Sequence, residues 1–355
     1  MNDSPIRVAV VGYGVIGKRV ADAISLQGDM RLTGVAEVAF DYRIASARHR
    51  GYDIFAATSK AHAAMGNAGI EVAGRLGDLL AVSDVVVDAT PKGVAGSNLP
   101  GYRAAGVKVV VQGGEPHDLT GHSFVAQANY DSARGRDATR VVSCNTTSVV
   151  RTLGALQDAG LLESGRGVLM RRATDPWESD RSGIMNTIVP ERSIPSHQGP
   201  DAQTVRPELD VVTMAAKAAH TQTHNHYWVV RLRRSASRDE VLEAFRRAPR
   251  IAFIRVGDGI VALNSTIELM KDLDRPRGDM WEVALWEDIL KVEGEELFYT
   301  YQVDNQAIVV PEAIDAVRAL GAPDVEAAES IRRTDEALGL RRDFVAASQK
   351  QGEPT

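Results

Sequence analysis

The sequence predicts an α/β fold: an N-terminal doubly wound parallel sheet, then an α+β catalytic domain with a mainly antiparallel sheet. Three observations predict it. Short apolar runs alternate with helical patterns through the first 145 residues, a glycine-rich turn joins the first run to the first helix, and the pattern changes character after Cys144. The strand candidates are Ile6 to Val11, Leu32 to Ala36, Val85 to Asp88, Val107 to Val111 and Val141 to Ser143. Several are apolar without alternation, as parallel strands covered on both faces should be. Helical candidates at Ile16 to Leu26, Leu76 to Ala81 and Gly96 to Ala105 fall between them.

Beyond Cys144 a helix is expected from Thr146 to Ala159 and a strand from Gly167 to Arg172. A long polar stretch, Asp175 to Val205, reads as a functional loop system because it has prolines but no clear periodicity. Tyr227 to Leu232, Ile251 to Ile254, Ile289 to Val292 and Leu297 to Val303 read as antiparallel strands, the last two flanking a turn at Glu293-Gly294-Glu295. Apolar helices are expected at Ile314 to Leu320 and Val325 to Leu338, with fraying after Ala346.

Composition narrows the function. The 355 residues are 44% hydrophobic and 25% charged, which suits a two-domain globular chain. A net charge of −6 leaves no basic excess for nucleic acid, and the Arg233/Arg234, Arg246/Arg247 and Arg332/Arg333 pairs read as solvated faces. One cysteine excludes an intrachain disulfide and a Cys-rich zinc site. With neither a signal-peptide core nor an apolar run of membrane-spanning length, the expected location is cytoplasmic.

Gly12-Tyr13-Gly14-Val15-Ile16-Gly17 satisfies G-x-G-x-x-G between a strand and a helix. There the first glycine makes the turn, the second admits a pyrophosphate and the third lets helix pack on strand. Glu37 stands 20 residues after Gly17, where a carboxylate accepts ribose hydroxyls and repels a 2′-phosphate. NAD is therefore preferred; NADP is possible, since Arg43 and Arg48 could meet a 2′-phosphate. Cys144 precedes a helix, whose N–H groups and dipole lower a thiol pKa and support an oxyanion. The polar residues after it could equally be caps. Candidate bases are the histidines of His224-Asn225-His226, and His197. Alternate histidines could bind metal, but no third ligand is suggested and none is expected. Arg171 and Arg172 would suit an anionic substrate or cofactor phosphate. A dinucleotide domain before a single cysteine suggests thiolate addition to an aldehyde, hydride transfer and cleavage of a thioester.

Over nearly its whole length the chain resembles the archaeal-type (type II) phosphorylating glyceraldehyde-3-phosphate dehydrogenases. The resemblance rests on GYGVIGKRVADAI at 12–24, VVDATPKG at 86–93, QGGEPH at 112–117, VVSCNTT at 141–147, RRATDP at 171–176, IVPERSIPSHQGPD at 188–201 and VVPEAIDAVRAL at 309–320. It implies a Rossmann domain over 1–143, a catalytic domain over 144–306 and C-terminal helices over 307–346 that return to the first domain. It further implies Cys144 as nucleophile and His224 as general base. Ser143, Asn145, Thr146, Arg171, His197 and Gln198 would meet the substrate. Gly12, Gly14, Val15, Ile16, Gly17, Glu37, Thr90, Gly113, Gly114, Arg172 and Asn305 would meet the cofactor. The implied substrates are a phosphorylated aldehyde and inorganic phosphate, and the implied assembly is a homotetramer. The chain departs from the family at Asp304-Asn305-Gln306, usually His-Gln-Glu, at Gln198, usually a second histidine, and at Glu37, where many members carry lysine. Residues 218–223 also replace a more apolar segment. These departures leave open another short anionic aldehyde, hydrolytic cleavage, a semialdehyde dehydrogenase or a non-catalytic nucleotide binder.

Overall fold

The computed structural model describes residues 4–112, 114–175 and 184–345. The chain divides into two units, one of Met1–Val150, His197–Leu209 and Gln306–Gly339, the other of Arg151–Ser196, Asp210–Asn305 and Leu340–Thr355.

The first unit holds an eight-stranded, all-parallel sheet in the order β4-β3-β2-β1-β5-β6-β8-β7. Its strands are β1 (Ile6–Val11), β2 (Met30–Glu37), β3 (Ile54–Ala56), β4 (Gly74–Arg75), β5 (Val85–Asp88), β6 (Lys108–Val111), β7 (Ser123–Phe124) and β8 (Ala138–Val141). Central β1 has Val8, Ala9, Val10 and Val11 buried, as a strand covered on both faces requires. The chain order reverses beside β1, between β2 and β5, so the β1 turn stands at a topological switch point. The helix Val310–Gly321 packs on this unit with residues 310 to 320 all buried, three of them charged. Each charge is met: Glu312 accepts the Ala126 N–H at 2.6 Å, and Arg318 donates to Asp29 at 2.7 Å and Asp315 at 3.3 Å.

The second unit is built on a mixed, mostly antiparallel sheet in the order β10-β11-β9-β12-β16-β14-β13, with β15 also on β16. Here β9 is Leu162–Arg172, β10 Ile188–Pro190, β11 Val211–Ala218, β12 His224–Leu232, β13 Ile251–Ile254, β14 Val283–Trp286, β15 Lys291–Glu293 and β16 Glu296–Val303. Three sequence expectations change. Ile251–Ile254 runs parallel to β14, because a helix, Leu263–Asp272, intervenes and carries the chain back. The strand expected at Val141 to Ser143 ends at Val141, and the helix after it starts at Cys144 instead of Thr146. The hairpin turn tightens to Gly294-Glu295, since Glu293 pairs with Glu296 and Gly294 takes φ +62°.

Candidate active site

Of the cofactor-binding expectations, Gly12, Gly14, Val15, Ile16, Gly17, Glu37, Thr90 and Gly114 lie at the carboxyl ends of the parallel strands, while Arg172 and Asn305 belong to the second unit. Helix α1 (Val15–Ser25) starts from Gly14 with no side-chain cap and no acid in its first turn, which leaves its N–H groups for an anion. Steric need explains two glycines. A Cβ on Gly17 would stand 1.8 Å from the Gly12 carbonyl oxygen. Gly12 has φ +86° and lies against the Ala89–Thr90 backbone, 2.9 Å from where a Cβ would be. The Glu37 carboxylate, 9% exposed, accepts the Tyr13 N–H at 3.0 Å and the Val38 N–H at 2.8 Å. These bonds hold it at the mouth of the glycine turn, with lone pairs left for a ribose diol. Arg43, the alternative acceptor for a 2′-phosphate, is forked onto Asp41 at 2.6–3.1 Å. The turn, its bare helix start and the anchored carboxylate fit a dinucleotide.

Thr90 donates its hydroxyl to Asp88, whose other oxygen accepts from Asn98 at 2.9 Å and Tyr102 at 2.8 Å. Thr90 is thus held as part of the floor behind the turn. Gly114 takes φ +75° in the loop after β6; Gly113 lies outside the described residues.

Cys144 opens the 15-residue helix α7 (Cys144–Asp158), three residues past the end of β8. Because β1 and β8 belong to one parallel sheet, the glycine turn and the cysteine both leave its carboxyl edge. The thiol is part-exposed and outside any disulfide. Ser143 caps the helix, its Oγ accepting the Thr146 N–H at 3.3 Å and meeting the Thr146 hydroxyl at 2.9 Å. Thr146 in turn donates to Asp201 Oδ2 at 2.8 Å. Asn145 is buried, His197 is exposed, and Gln198 is fully buried. Both polar atoms of the Gln198 amide lack a hydrogen-bond partner, an arrangement that costs energy unless something fills it. It begins the short helix Gln198–Gln203, in a segment whose lack of periodicity hid it.

In the second unit His224 opens β12 and is 2% exposed. Its Nδ1 accepts the Arg172 N–H at 3.0 Å, so the neutral ring carries its proton on Nε2. Burial, then the positive charges of Arg172 and its neighbours, hold the His224 pKa well below the usual histidine range. The residue before it, Thr223, has φ +61° and is pinned by Asn305, whose Oδ1 accepts the Thr223 N–H at 2.9 Å. The Asn305 amide donates to Asp175 at 2.9 Å, and Asp175 pairs with Arg172 at 3.1 Å. The structure therefore brings His224, Arg172 and Asn305 into one network. Arg171 stands outside it, paired with Glu191 at 2.8 Å. His226 binds the Tyr301 hydroxyl through Nδ1 at 2.9 Å, in the core. Asp175, Asp88, Arg140 and Asp201 were missed by sequence reasoning as site residues. Asp88 and Arg140 left a signal, each as a charge at the end of an apolar run.

Comparison with known proteins matches two segments of the chain. Residues 143–276 match the family model described as glyceraldehyde 3-phosphate dehydrogenase, C-terminal domain. Residues 6–114 match that of dihydrodipicolinate reductase, N-terminus. The chain is 46% identical to a glyceraldehyde-3-phosphate dehydrogenase of Pyrobaculum calidifontis, over 94% of this chain and 97% of the relative. It is 42% identical to those of Thermococcus kodakarensis, over 94% and 99%, and Haloarcula marismortui, over 96% of each.

Proposed function

This chain belongs to the glyceraldehyde-3-phosphate dehydrogenase family, and from that premise we propose that it oxidises D-glyceraldehyde 3-phosphate to 1,3-bisphosphoglycerate. NAD is the preferred cofactor, NADP a possible one, and inorganic phosphate the second substrate. One observation carries the reading: the sole cysteine starts a long helix at the same sheet edge as a dinucleotide-type glycine turn.

In this reading the residues divide the labour by their chemistry. The bare start of α1 and Glu37 hold the dinucleotide, Glu37 through the adenosine ribose. Cys144 is the nucleophile; its thiolate, favoured by the α7 N–H groups, adds to the aldehyde carbon and gives a thiohemiacetal. When bound, the nicotinamide supplies a hydride acceptor. Loss of hydride from the thiohemiacetal carbon and of the proton from its oxygen leaves a thioester on Cys144. Phosphate oxygen then attacks that carbonyl, the C–S bond breaks and the thiolate returns. His224 is the acid–base residue. With Nδ1 held by the Arg172 N–H, its neutral ring offers an Nε2–H to a thiolate or a developing oxyanion. Taking up a proton at Nε2 requires exchange of the tautomer, which places the hydrogen on Nδ1 and releases the Arg172 bond. Arg172 and Asn305 are assigned to the cofactor, and Ser143, Asn145, Thr146, Arg171, His197 and Gln198 to the substrate.

We further propose a functional division into 1–143, 144–306 and 307–346, a homotetramer and a cytoplasmic location. No helix among the described residues is long and apolar enough to cross a membrane. The unsatisfied Gln198 amide favours a second reading, the same chemistry on another short anionic aldehyde. An aldehyde panel assayed with and without phosphate tests both. Phosphate-dependent NADH formation, fastest with D-glyceraldehyde 3-phosphate, is expected; turnover unaffected by phosphate overturns the phosphorolytic step.

A further inference from the structure

A buried ion pair lies behind the start of α7. Arg140, on β8 four residues before Cys144, is 3% exposed. Its guanidinium spends every nitrogen: Nε donates to Ser123 Oγ at 2.9 Å, and one terminal nitrogen to the Glu115 carbonyl at 2.8 Å. The other terminal nitrogen donates to Asp201 Oδ1 and, at 3.2 Å, to Thr204 Oγ1. Arg140 thus ties together three segments, the loop after β6, β7 and the short helix Gln198–Gln203, and reaches the start of α7 through Asp201. All lie within the first unit.

The donors and acceptors fix the direction of every proton. Arginine can only donate and an ionised aspartate can only accept. Asp201 Oδ2 accepts from the Thr146 hydroxyl, so Thr146 Oγ1 has only lone pairs left for Ser143. The Ser143 hydroxyl must then donate to Thr146 Oγ1, while its own lone pair takes the Thr146 N–H. The run Ser143→Thr146→Asp201, closed by Arg140, has one proton order only. Both hydroxyls flanking Cys144 are committed inward, and the first turn of α7 is fixed in place.

We propose that Arg140 and Asp201 are positioning residues for Cys144: acting through Thr146 and Ser143, they fix the helix start that holds the thiol, and their opposite charges balance near it. This inference rests on Cys144 being the nucleophile, but its test is read on the thiol itself. Cys144 is the chain's only cysteine, so the rate of carbamidomethylation against pH reports that thiol alone, without turnover. Ionisable groups of this unit beside the pair include Glu115, which takes the Gly93 N–H, His117, which bonds Ser123 at 2.8 Å, His122, whose carbonyl accepts the Arg140 N–H at 3.1 Å, and His197. All are kept in every variant.

Arg140→Gln leaves the Asp201 carboxylate uncompensated and should move the alkylation profile to higher pH. Asp201→Asn leaves Arg140 uncompensated and should move it to lower pH. Each shift should be about half to one pH unit. The double variant, with both charges gone, should return close to the wild-type profile. A role in fold alone would move both single variants in the same direction or neither, and either result overturns the proposal. If Arg140→Gln does not fold, Asp201→Asn and Thr146→Val decide. Each should lower kcat about tenfold, and the two together should cost no more than one, because they cut the same run. Additive losses, or a Thr146→Val enzyme with wild-type kcat, overturn it. An alkylation profile that shifts as expected in a protein inactive on every aldehyde would sink the proposed function and leave this inference standing.

Discussion

The glycine turn and the His224 network are built in opposite ways. Consecutive backbone makes the turn: six residues, a helix start, and one carboxylate anchored by two backbone N–H groups. Around His224, side chains and backbone from β9, the residues after it, the start of β12 and the end of β16 converge, with Asn305 bracing a strained Thr223. A backbone-made site fails by steric exclusion, as the 1.8 Å approach at Gly17 shows. A site made by convergence should fail by degrees, because each partner contributes one bond.

Cys144→Ser gives the largest expected effect and separates chemistry from both kinds of scaffold. An alcohol far from its pKa is a poor nucleophile beside a thiolate, so turnover should fall below a few percent. Cofactor binding, measured by fluorescence titration, should be unchanged because the glycine turn is untouched. Retained turnover above that level would remove Cys144 from the nucleophile's role.

Next comes the converging site. His224→Asn should slow acylation roughly 10²–10⁴-fold, the range for a lost acid–base group. Burst kinetics with the aldehyde measure that step directly. The sharper comparison is Asn305→Ala, which removes the brace on Thr223 and should cost less than His224→Asn. If Asn305→Ala proved the worse of the two, geometry and not proton transfer would dominate this site. A larger loss from His226→Asn or His220→Asn than from His224→Asn would mean that another ring does the work.

Legibility followed the same contrast. Periodicity and G-x-G-x-x-G located the parallel sheet and its turn, because local backbone chemistry is written in consecutive residues. Glu37 was legible from spacing, since a strand of known rise must end near it. The parallel pairing of Ile251–Ile254 was not, because pairing depends on the helix Leu263–Asp272, whose pattern went unread. Nor could any spacing join Arg140 to Asp201, or Asn305 to Thr223, across gaps of 61 and 82 residues. Resemblance supplied His224, while the tautomer imposed by the Arg172 N–H needed coordinates.

A smaller effect is expected at the ribose end of the turn. Glu37 keeps lone pairs for the diol while Arg43 is forked onto Asp41, so the wild type should favour NAD over NADP by at least tenfold in kcat/KM. Glu37→Lys should narrow or invert that ratio and leave the aldehyde KM nearly unchanged. Equal wild-type use of both cofactors would mean that Arg43 leaves Asp41 to meet the 2′-phosphate.

The smallest effect concerns stability, and it asks whether a converging network away from the reaction also titrates. His122, in the first unit, is 8% exposed and held at Nδ1 by Thr139 at 2.7 Å and at Nε2 by Ser132 at 2.8 Å. Ser132 gives its own proton to the Asn129 carbonyl, so Nε2 is the donor, Nδ1 the acceptor, and the ring neutral. Burial, then the charge of Arg136, pushes its pKa down to about 4. In the unfolded chain the same ring titrates near 6.5. The stability it confers is complete above pH 6.5. As pH falls the unfolded state takes up the proton first, so that stability drains away down to about pH 4, below which both states are charged. His226, pushed to about 3 by burial, adds a loss of the same sign in the second unit. His122→Gln keeps a donor and an acceptor without a proton to gain. Its melting temperature should therefore fall less between pH 6.5 and 4 than that of the wild type, by on the order of 5 °C. Parallel melting curves for the two proteins across that window would show that His122 is already charged in the folded protein.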